Sequence, residues 1–454
     1  MKPVMRRIVL CGLLALVPSV SQGADSQSKT PSSTGDGGNI TLQKKPGGGL
    51  TLQEVVAQVL LKNPDLEVYS WEVRAREARA LQEGLLNNPQ LSISPQDFWG
   101  SGKLAGFDSM ENTAMLSQVI ELGGKRMKRQ RAAHLDRDLA QWDYETRRME
   151  VLTRVSQDFT DVLAGQERVK LHEELVGLSQ KALETVQARV TAGKVSPIDE
   201  VKAGVALATH QVNLDQARST LAGAKQRLAT SWGSTEVTFD HVQGNLFATV
   251  QVAPLQNLKD DLSRNPDLAR WATEVIHRQA VVTREESKAV PNITLGAGSR
   301  YIQEVKDYAW QVNITVPLPI FDRNQGGIAE ARHRLSKADA EKRSVELQLQ
   351  RALSIQYANL VNAYKRVENL KTKILPGAQT AFEAVNEGYR YGKFGYLEVL
   401  DSQRTWFDAR SQFLDALAEY HKAVADVERL TGQAISVPPK PRPLPYERER
   451  EQQR

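Results

Sequence analysis

The sequence predicts a mainly α-helical chain with a β-barrel portion, built by duplicating one unit. Three observations predict it. Long charge-mixed segments rich in Ala and Leu carry helical or heptad periodicity, with only 6% aromatics overall. The motif Asn63-Pro64-Asp65-Leu66 returns as Asn265-Pro266-Asp267-Leu268. Between the helices the apolar period switches to two over runs of about 10 residues, the length a tilted strand needs to cross the hydrocarbon core of a bilayer.

The chain opens with Lys2, Arg6 and Arg7 ahead of an apolar run from Ile8 to Val17, followed by Pro18 and the small residues Ser21, Gly23 and Ala24. This is the pattern of a secretory signal peptide over residues 1–23. The run is too short to span a bilayer, and no later stretch approaches the roughly 20 apolar residues of a membrane helix. The single cysteine, Cys11, lies inside the signal, so the exported product has no thiol for disulfide, metal or nucleophilic chemistry. Leu10 rather than a small residue precedes it, so the lipoprotein pattern is not met. The formal charge of +5 falls by three when Lys2, Arg6 and Arg7 leave, which removes the case for a nucleic-acid partner. Residues 24–49 are largely Ser, Thr, Gly and Lys, and residues 434–454 are Pro and alternating charge. Neither stretch can bury enough surface to fold, so both are expected as disordered tails.

Between the tails the duplication keeps its register. Asn88-Pro89-Gln90-Leu91 answers Val290-Pro291-Asn292-Ile293, Ala192-Gly193-Lys194 answers Tyr391-Gly392-Lys393, and Arg227-Leu228 answers Arg429-Leu430. Residues 50–233 and 254–433 are therefore two copies of one unit, joined by a linker over 234–253. Each copy begins with a helix, Leu52 to Asn87 and Leu255 to Ala289, broken by Asn-Pro or Val-Pro. A β-hairpin follows, over 90–121 in the first copy and 291–318 in the second.

The second hairpin is the clearer one. Ile293, Leu295, Ala297, Ser299 and Tyr301 alternate with polar or small residues, as do Tyr308, Trp310, Val312, Ile314 and Val316. Tyr301, Tyr308 and Trp310 stand where an aromatic girdle at a membrane surface belongs. In the first hairpin Leu91 and Ile93 alternate with Ser92 and Ser94, but Pro95 interrupts, and Met115 to Ile120 is apolar on both sides. A half-buried soluble hairpin is the alternative for any one of these strands taken alone.

Two long helices come after each hairpin and meet at a short turn, around Gly193 and around Gly392. From Gly124 to Ala192 only Gly165 and Gly177 interrupt the pattern, which at ~1.5 Å per residue allows an element approaching ~100 Å. The returning helices carry heptads: Leu207, Leu214, Leu221 and Leu228 in one, Leu400, Phe407 and Leu414 with Phe413, Tyr420 and Val427 in the other. These are coiled-coil seams. Ser402, Ala409, Ala416 and Ala423 add a small-residue line that lets a second neighbour approach, which suggests a ring of helices. Four strands cannot close a barrel with a lumen, so several chains must share one. If three do, twelve strands close around a channel and twelve helices continue it.

Chemistry is harder to find. The seven histidines show no ligand spacing, and His134, His210, His333 and His421 read as surface or seam residues. Gly47-Gly48-Gly49 and Gly123-Gly124 lack phosphate-loop spacing, and no nucleophile–base pair or acidic metal cluster is visible. No enzyme, no resident metal and no cofactor is expected.

The residues resemble the outer-membrane factors of tripartite efflux and secretion systems, of which TolC is the best-known example. The resemblance covers roughly residues 50 to 433. Its most specific segment runs from Tyr389-Arg390-Tyr391-Gly392-Lys393-Phe394-Gly395-Tyr396 to Arg404 and on to Leu430-Thr431-Gly432. Val316-Pro317-Leu318-Pro319-Ile320-Phe321-Asp322-Arg323-Asn324, with Glu121-Leu122-Gly123-Gly124-Lys125-Arg126, is similar to the heavy-metal branch of the cobalt–zinc–cadmium kind.

The resemblance implies a homotrimer: a 12-stranded transmembrane β-barrel in outer-membrane lipid, continued by a long periplasmic coiled-coil helical barrel. It implies partnership with a periplasmic membrane-fusion adaptor and an inner-membrane RND transporter, with heavy-metal cations as cargo. It also implies that the turns at Gly193, Lys194, Gly392 and Lys393 form the tip that the adaptor grips. Carried over by position, Glu398 and Asp401 fall at the channel mouth, and Asp199 and Tyr389 fall where a hydrogen bond links helices in the shut state. Phe394 stands where the best-known member has a latch arginine. The i, i+3 spacing of Glu398 and Asp401 puts both on one helix face, where threefold symmetry would gather six acids into a cation-attracting ring. Drug efflux and type I secretion are the alternatives within this class, and a periplasmic coiled-coil adaptor or scaffold is the alternative outside it.

Overall fold

The structure, a computed structural model, describes residues 49–432. The expected signal peptide and the two expected tails lie outside the described residues, Gly49 excepted. The first copy runs β1 (Leu50–Thr51), α1 (Leu52–Lys62), α2 (Pro64–Glu83), β2 (Gln90–Gln96), β3 (Glu111–Ile120), α3 (Lys125–Thr191) and α4 (Pro197–Thr230). A connecting segment carries β4 (Val242–Gln243). The second copy runs α5 (Leu255–Asp261), α6 (Pro266–Lys288), β5 (Ile293–Ile302), β6 (Asp307–Thr315), α7 (Gln325–Asn369), α8 (Leu375–Arg390) and α9 (Tyr396–Thr431).

The stretch from Leu52 to Asn87, expected as one helix, is two. Asn63 is extended, with ψ 121°, because a residue ahead of proline is pushed out of the helical region and Pro64 has no N–H to continue the ladder. The same break at Asn265-Pro266 separates α6 from a single 3₁₀ turn after α5.

Each asparagine then works at both ends. The Asn63 Oδ1 accepts from Leu66 N at 3.0 Å, capping α2, while its Nδ2 donates to the Ser231 carbonyl at 2.7 Å, just past the end of α4. Asn265 caps α6 by accepting from Asp267 N at 2.8 Å and donates to the Leu430 carbonyl at 2.9 Å, at the end of α9. The aspartates of the two repeated motifs converge on adjacent residues of α3: Arg147 donates to Asp65 at 2.6 Å and Thr146 to Asp267 at 2.9 Å. The strongest sequence repeat is thus a device that ties a helix start to a helix end and both to α3.

Helix α3, 67 residues long, packs against α2, α4, α6 and α9. One core cluster joins α3, α7 and α9 through Leu171, Leu353, Leu360, Leu417 and Leu430. A second joins α1, α3 and α4 through Val55, Val155, Val162 and Leu228. The connecting segment is stitched across this middle. β4 pairs in parallel with β1, Gln166 of α3 brackets the backbone of Val242, and the Tyr420 hydroxyl both accepts from Val250 N and donates to its carbonyl. Where α3 is continuous, its counterpart is not: α7 passes through a π-helical turn, Leu370–Ile374, before α8 opens with Pro376 in its first turn.

The two hairpins form one antiparallel four-stranded sheet in the order β2-β3-β5-β6. Register sets its faces. Leu91 lies opposite Leu116, Leu116 opposite Ala297 and Ala297 opposite Val312, so a single face runs through all four strands. It carries Leu91, Ile93, Leu116, Leu295, Tyr308, Trp310, Val312 and Ile314, all exposed. The opposite face is small and polar, with Ser92, Ser94, Gly296, Gly298 and Asn313. Met115, the apolar residue that blurred the alternation of β3, lies over the two glycines, and a Cβ at Gly298 would fall 2.2 Å from the Ala114 carbonyl oxygen.

The base of the sheet is joined to the helices by ion pairs. Arg129 of α3 bridges Glu121, just past β3, at 2.6 Å and Glu83 of α2 at 3.0 Å, while Glu285 of α6 accepts from Asn324, whose left-handed backbone (φ 58°) starts α7.

Asn265→Ala removes a buried cap and leaves a carbonyl unpaired, for an expected loss of about 1–2 kcal/mol in denaturant unfolding of the detergent-solubilised protein. Asn63→Ala is expected to cost less, since Asn63 is the more exposed of the two.

Candidate functional site

The two helix-to-helix turns are built alike. In the first, Gly193 at φ 69° lets Lys194 N reach the Arg189 carbonyl at 2.9 Å; in the second, Gly392 at φ 74° lets Lys393 N reach the Gly388 carbonyl at 2.8 Å. This is the Schellman closure, and the left-handed residue at its centre is the reason for glycine at both positions. No atom lies within 4 Å of a Cβ placed on either glycine, so backbone conformation alone demands them. The side chain of Ser196 then caps α4 by accepting from Ile198 N.

The turns lie at one end of a shared core. Val186 and Ala203 of the first copy pack with Tyr389, Tyr396 and Val399 of the second. The Tyr389 and Tyr396 rings are 6.1 Å apart, and the Arg189 guanidinium lies over the Tyr389 ring at 4.3 Å. Burial, then Tyr389 and the Asp199 carboxylate, push the Tyr396 hydroxyl up to about 12. Asp199 is therefore close to Tyr396, but the hydrogen bond that the resemblance implies between Asp199 and Tyr389 is not made in the single chain: the Tyr389 hydroxyl is buried with no hydrogen-bond partner. Asp199 instead has Lys202 at 4.0 Å. Phe394, in place of an arginine, packs its ring against Gly388, where a Cβ would sit 2.4 Å from it.

Glu398 and Asp401 lie in the first turns of α9 and are exposed. Among the described residues neither carboxylate has an ion-pair partner. At the other end of the molecule, Tyr301 and Tyr308 are a directly opposed cross-strand pair with ring centroids 4.9 Å apart, and Trp310, 88% exposed, follows on the same face. No helix among the described residues is long and apolar enough to cross a membrane, and no group of three or more metal-ligating side chains occurs among them. Nothing in the residue pattern points to the Tyr420 clasp on Val250, which joins groups 170 residues apart, or to the Tyr389 hydroxyl left without a partner by the packing around it.

A family model described as outer membrane efflux protein matches residues 55–234 and 257–433, the two copies of the duplicated unit. The chain belongs to the outer membrane efflux protein family. It is thus an outer-membrane component of efflux, a channel rather than an enzyme, and the reading as a soluble adaptor falls. Among its relatives, the cobalt-zinc-cadmium resistance protein CzcC of Cupriavidus metallidurans is 33% identical over 429 residues, covering 94% of this chain and 100% of the relative. The nickel-cobalt-cadmium resistance protein NccC of Alcaligenes xylosoxydans is 25% identical over 311 residues, 68% of this chain and 69% of the relative. The outer membrane protein VceC of Vibrio cholerae shares the fold, with a TM-score of 0.69 at 15% identity over 85% of this chain and 97% of that one.

Because the Tyr389 hydroxyl is buried without a partner, Tyr389→Phe is expected to leave the stability of this end unchanged or to raise it by up to about 1 kcal/mol, read by thermal unfolding. A clear loss would show that the hydroxyl is bonded in the assembled protein.

Proposed function

We propose that the chain is one of three identical subunits of an exit duct in the outer membrane, serving a tripartite RND-type pump that exports heavy-metal cations of the cobalt, zinc, cadmium, nickel or copper class. One observation carries the shared duct: a four-stranded sheet with one exposed apolar face and unpaired edges at β2 and β6. In lipid every backbone N–H and C=O must be paired, so such a sheet is complete only when its edges meet those of other copies. Three copies give twelve strands, enough to surround an aqueous lumen. The apolar face then meets lipid, with Tyr301, Tyr308 and Trp310 at its boundary as an aromatic girdle. The metal cargo is supported by the similarity to CzcC and NccC, which are named for resistance to cobalt, zinc and cadmium and to nickel, cobalt and cadmium.

In this reading the duct does no chemistry. The helices extend it into the periplasm, where a membrane-fusion adaptor grips the turns at Gly193-Lys194 and Gly392-Lys393 and links the duct to the inner-membrane transporter. Glu398 and Asp401, exposed and without ion-pair partners, supply negative charge at the mouth. Six such acids around a narrow opening attract cations and repel anions. Asp199, Tyr389 and their neighbours hold α8 and α9 against α3 and α4, and with Phe394 in place of an arginine the closure relies on packing more than on ion pairs.

Deleting the gene tests the cargo. Growth and cell metal content across zinc, cobalt, cadmium, nickel and copper should show sensitivity to some of these metals and not to hydrophobic drugs; sensitivity to drugs alone would overturn the metal assignment while leaving the duct. The assembly predicts a detergent-resistant trimer in the outer-membrane fraction, and a soluble monomer would sink it. In bilayer recordings Glu398→Gln with Asp401→Asn should lower cation selectivity, whereas unchanged selectivity would mean that these acids do not line the opening.

A further inference from the structure

Helices α3 of the first copy and α9 of the second are held together by a ladder of polar contacts. Asp161 meets Lys422 at 2.6 Å, Arg168 meets Asp415 at 2.5 Å, Glu174 meets Arg410 at 2.8 Å, and the buried Gln403 donates to Ser179 at 3.5 Å. Each step of five to seven residues along one helix is matched by a step of five to seven back along the other, as an antiparallel pair requires. The ion pairs stop at Glu174. From there α3 continues for 17 residues to Thr191, roughly 25 Å of helix, and along that stretch no ion pair among the described residues joins the two copies.

One cation still reaches across. The Arg189 guanidinium, in the last turn of α3, lies 4.3 Å from the centroid of the Tyr389 ring on α8, inside the range of about 6 Å over which a ring face attracts a cation. Among the described residues Arg189 has no carboxylate partner. The acids of the facing helix start are engaged elsewhere, Glu200 by Gln187 at 3.1 Å and Asp199 by Lys202 at 4.0 Å.

Tyr389 offers that cation its ring and nothing else. Its hydroxyl is buried without a hydrogen-bond partner, and the ring, 6% exposed, is packed among Val186, Ala203, Tyr396 and Val399. A ring so far withdrawn from water is where such an attraction is strongest. Position 394 cannot supply the charge, since Phe394 is apolar and its ring covers Gly388.

We propose, on the reading of these turns as the periplasmic end of a gated duct, that Arg189 is the latch cation: its contact with the Tyr389 ring crosses from the first copy to the second and holds the tip shut. When α8 and α9 swing away from α3 the guanidinium and the ring part, so the contact favours the shut arrangement by its own strength and by nothing that survives opening. It differs in kind from the hydrogen bond that the resemblance implies. The face of the tyrosine is used and not its hydroxyl, and the charge comes from α3 and not from the turn before α9.

Bilayer recordings of the full-length protein test this, with the unfolding midpoint in detergent checking that each variant folds. Arg189→Gln removes the charge and is expected to raise the open fraction roughly tenfold, since three latches act on one opening. Tyr389→Leu should open the channel as much, and the two together no further than either alone. Tyr389→Phe keeps the ring and should stay as shut as wild type, while Arg189→Lys, a compact and strongly hydrated cation, should fall between. Arg189 is only half-buried, so Arg189→Gln is expected to fold as wild type does and settles the matter even if Tyr389→Leu does not fold. A channel that stays shut with Arg189→Gln overturns the latch and leaves the duct standing. Opening by Tyr389→Phe as large as by Tyr389→Leu would assign the closure to the hydroxyl and overturn the latch as well. A wild type that forms no channel overturns the duct itself, and the latch with it.

Discussion

The structure depends on keeping one very long helix wet on no side for long. α3 runs for 67 residues and meets α2 and α6 along its first part and α4 and α9 beyond. A helix buried on a single face carries one apolar stripe; α3 must carry a stripe that moves around it as its neighbours change, and its buried residues, from Ala132 to Val186, are spread to match. Isolated, an element of this length with so many charges would gain little from its own backbone. Its order comes from the partners, and theirs from it.

The duplicated unit supplies those partners twice, but the copies are not used alike. In the first, the helix that leaves the sheet runs unbroken from Lys125 to Thr191; in the second the corresponding path bends through the π-helical turn and Pro376. The polar staples repeat more faithfully than the helices do. Asn63 and Asn265 each cap one helix and satisfy the end of another, and Asp65 and Asp267 both reach the same turn of α3. Backbone groups left over at helix ends are few and expensive, so the residues that pair them change less readily than apolar residues, which tolerate exchange of shape.

Much of this is legible in the sequence, because its main signals are periodic or repeated. The alternation from Ile293 to Val316 fixes which residues share a face, the heptads from Leu207 to Leu228 mark a seam, and the glycines at 193 and 392 mark turns that need a left-handed residue. What is not legible depends on distance along the chain. The expected helices from Leu52 and from Leu255 run past Pro64 and Pro266, since a proline at the first position of a new helix leaves the flanking periodicity intact. The segment after Trp232 looks like plain linker, and only the fold shows Gln166, Tyr420 and His421 holding its backbone. At the turns the resemblance pairs Tyr389 with Asp199, whereas in the single chain the Tyr389 ring is occupied by Arg189 above and Tyr396 beside it.

The free edges of β2 and β6 have a consequence for heredity. Under the proposed ring each chain completes its neighbours, so a chain damaged at an edge does not merely fail; it enters rings with sound chains and spoils them. A cell carrying one sound and one such gene would then lose most of its ducts, and the lesion would be inherited as dominant, whereas a chain truncated before it could join any ring would be recessive.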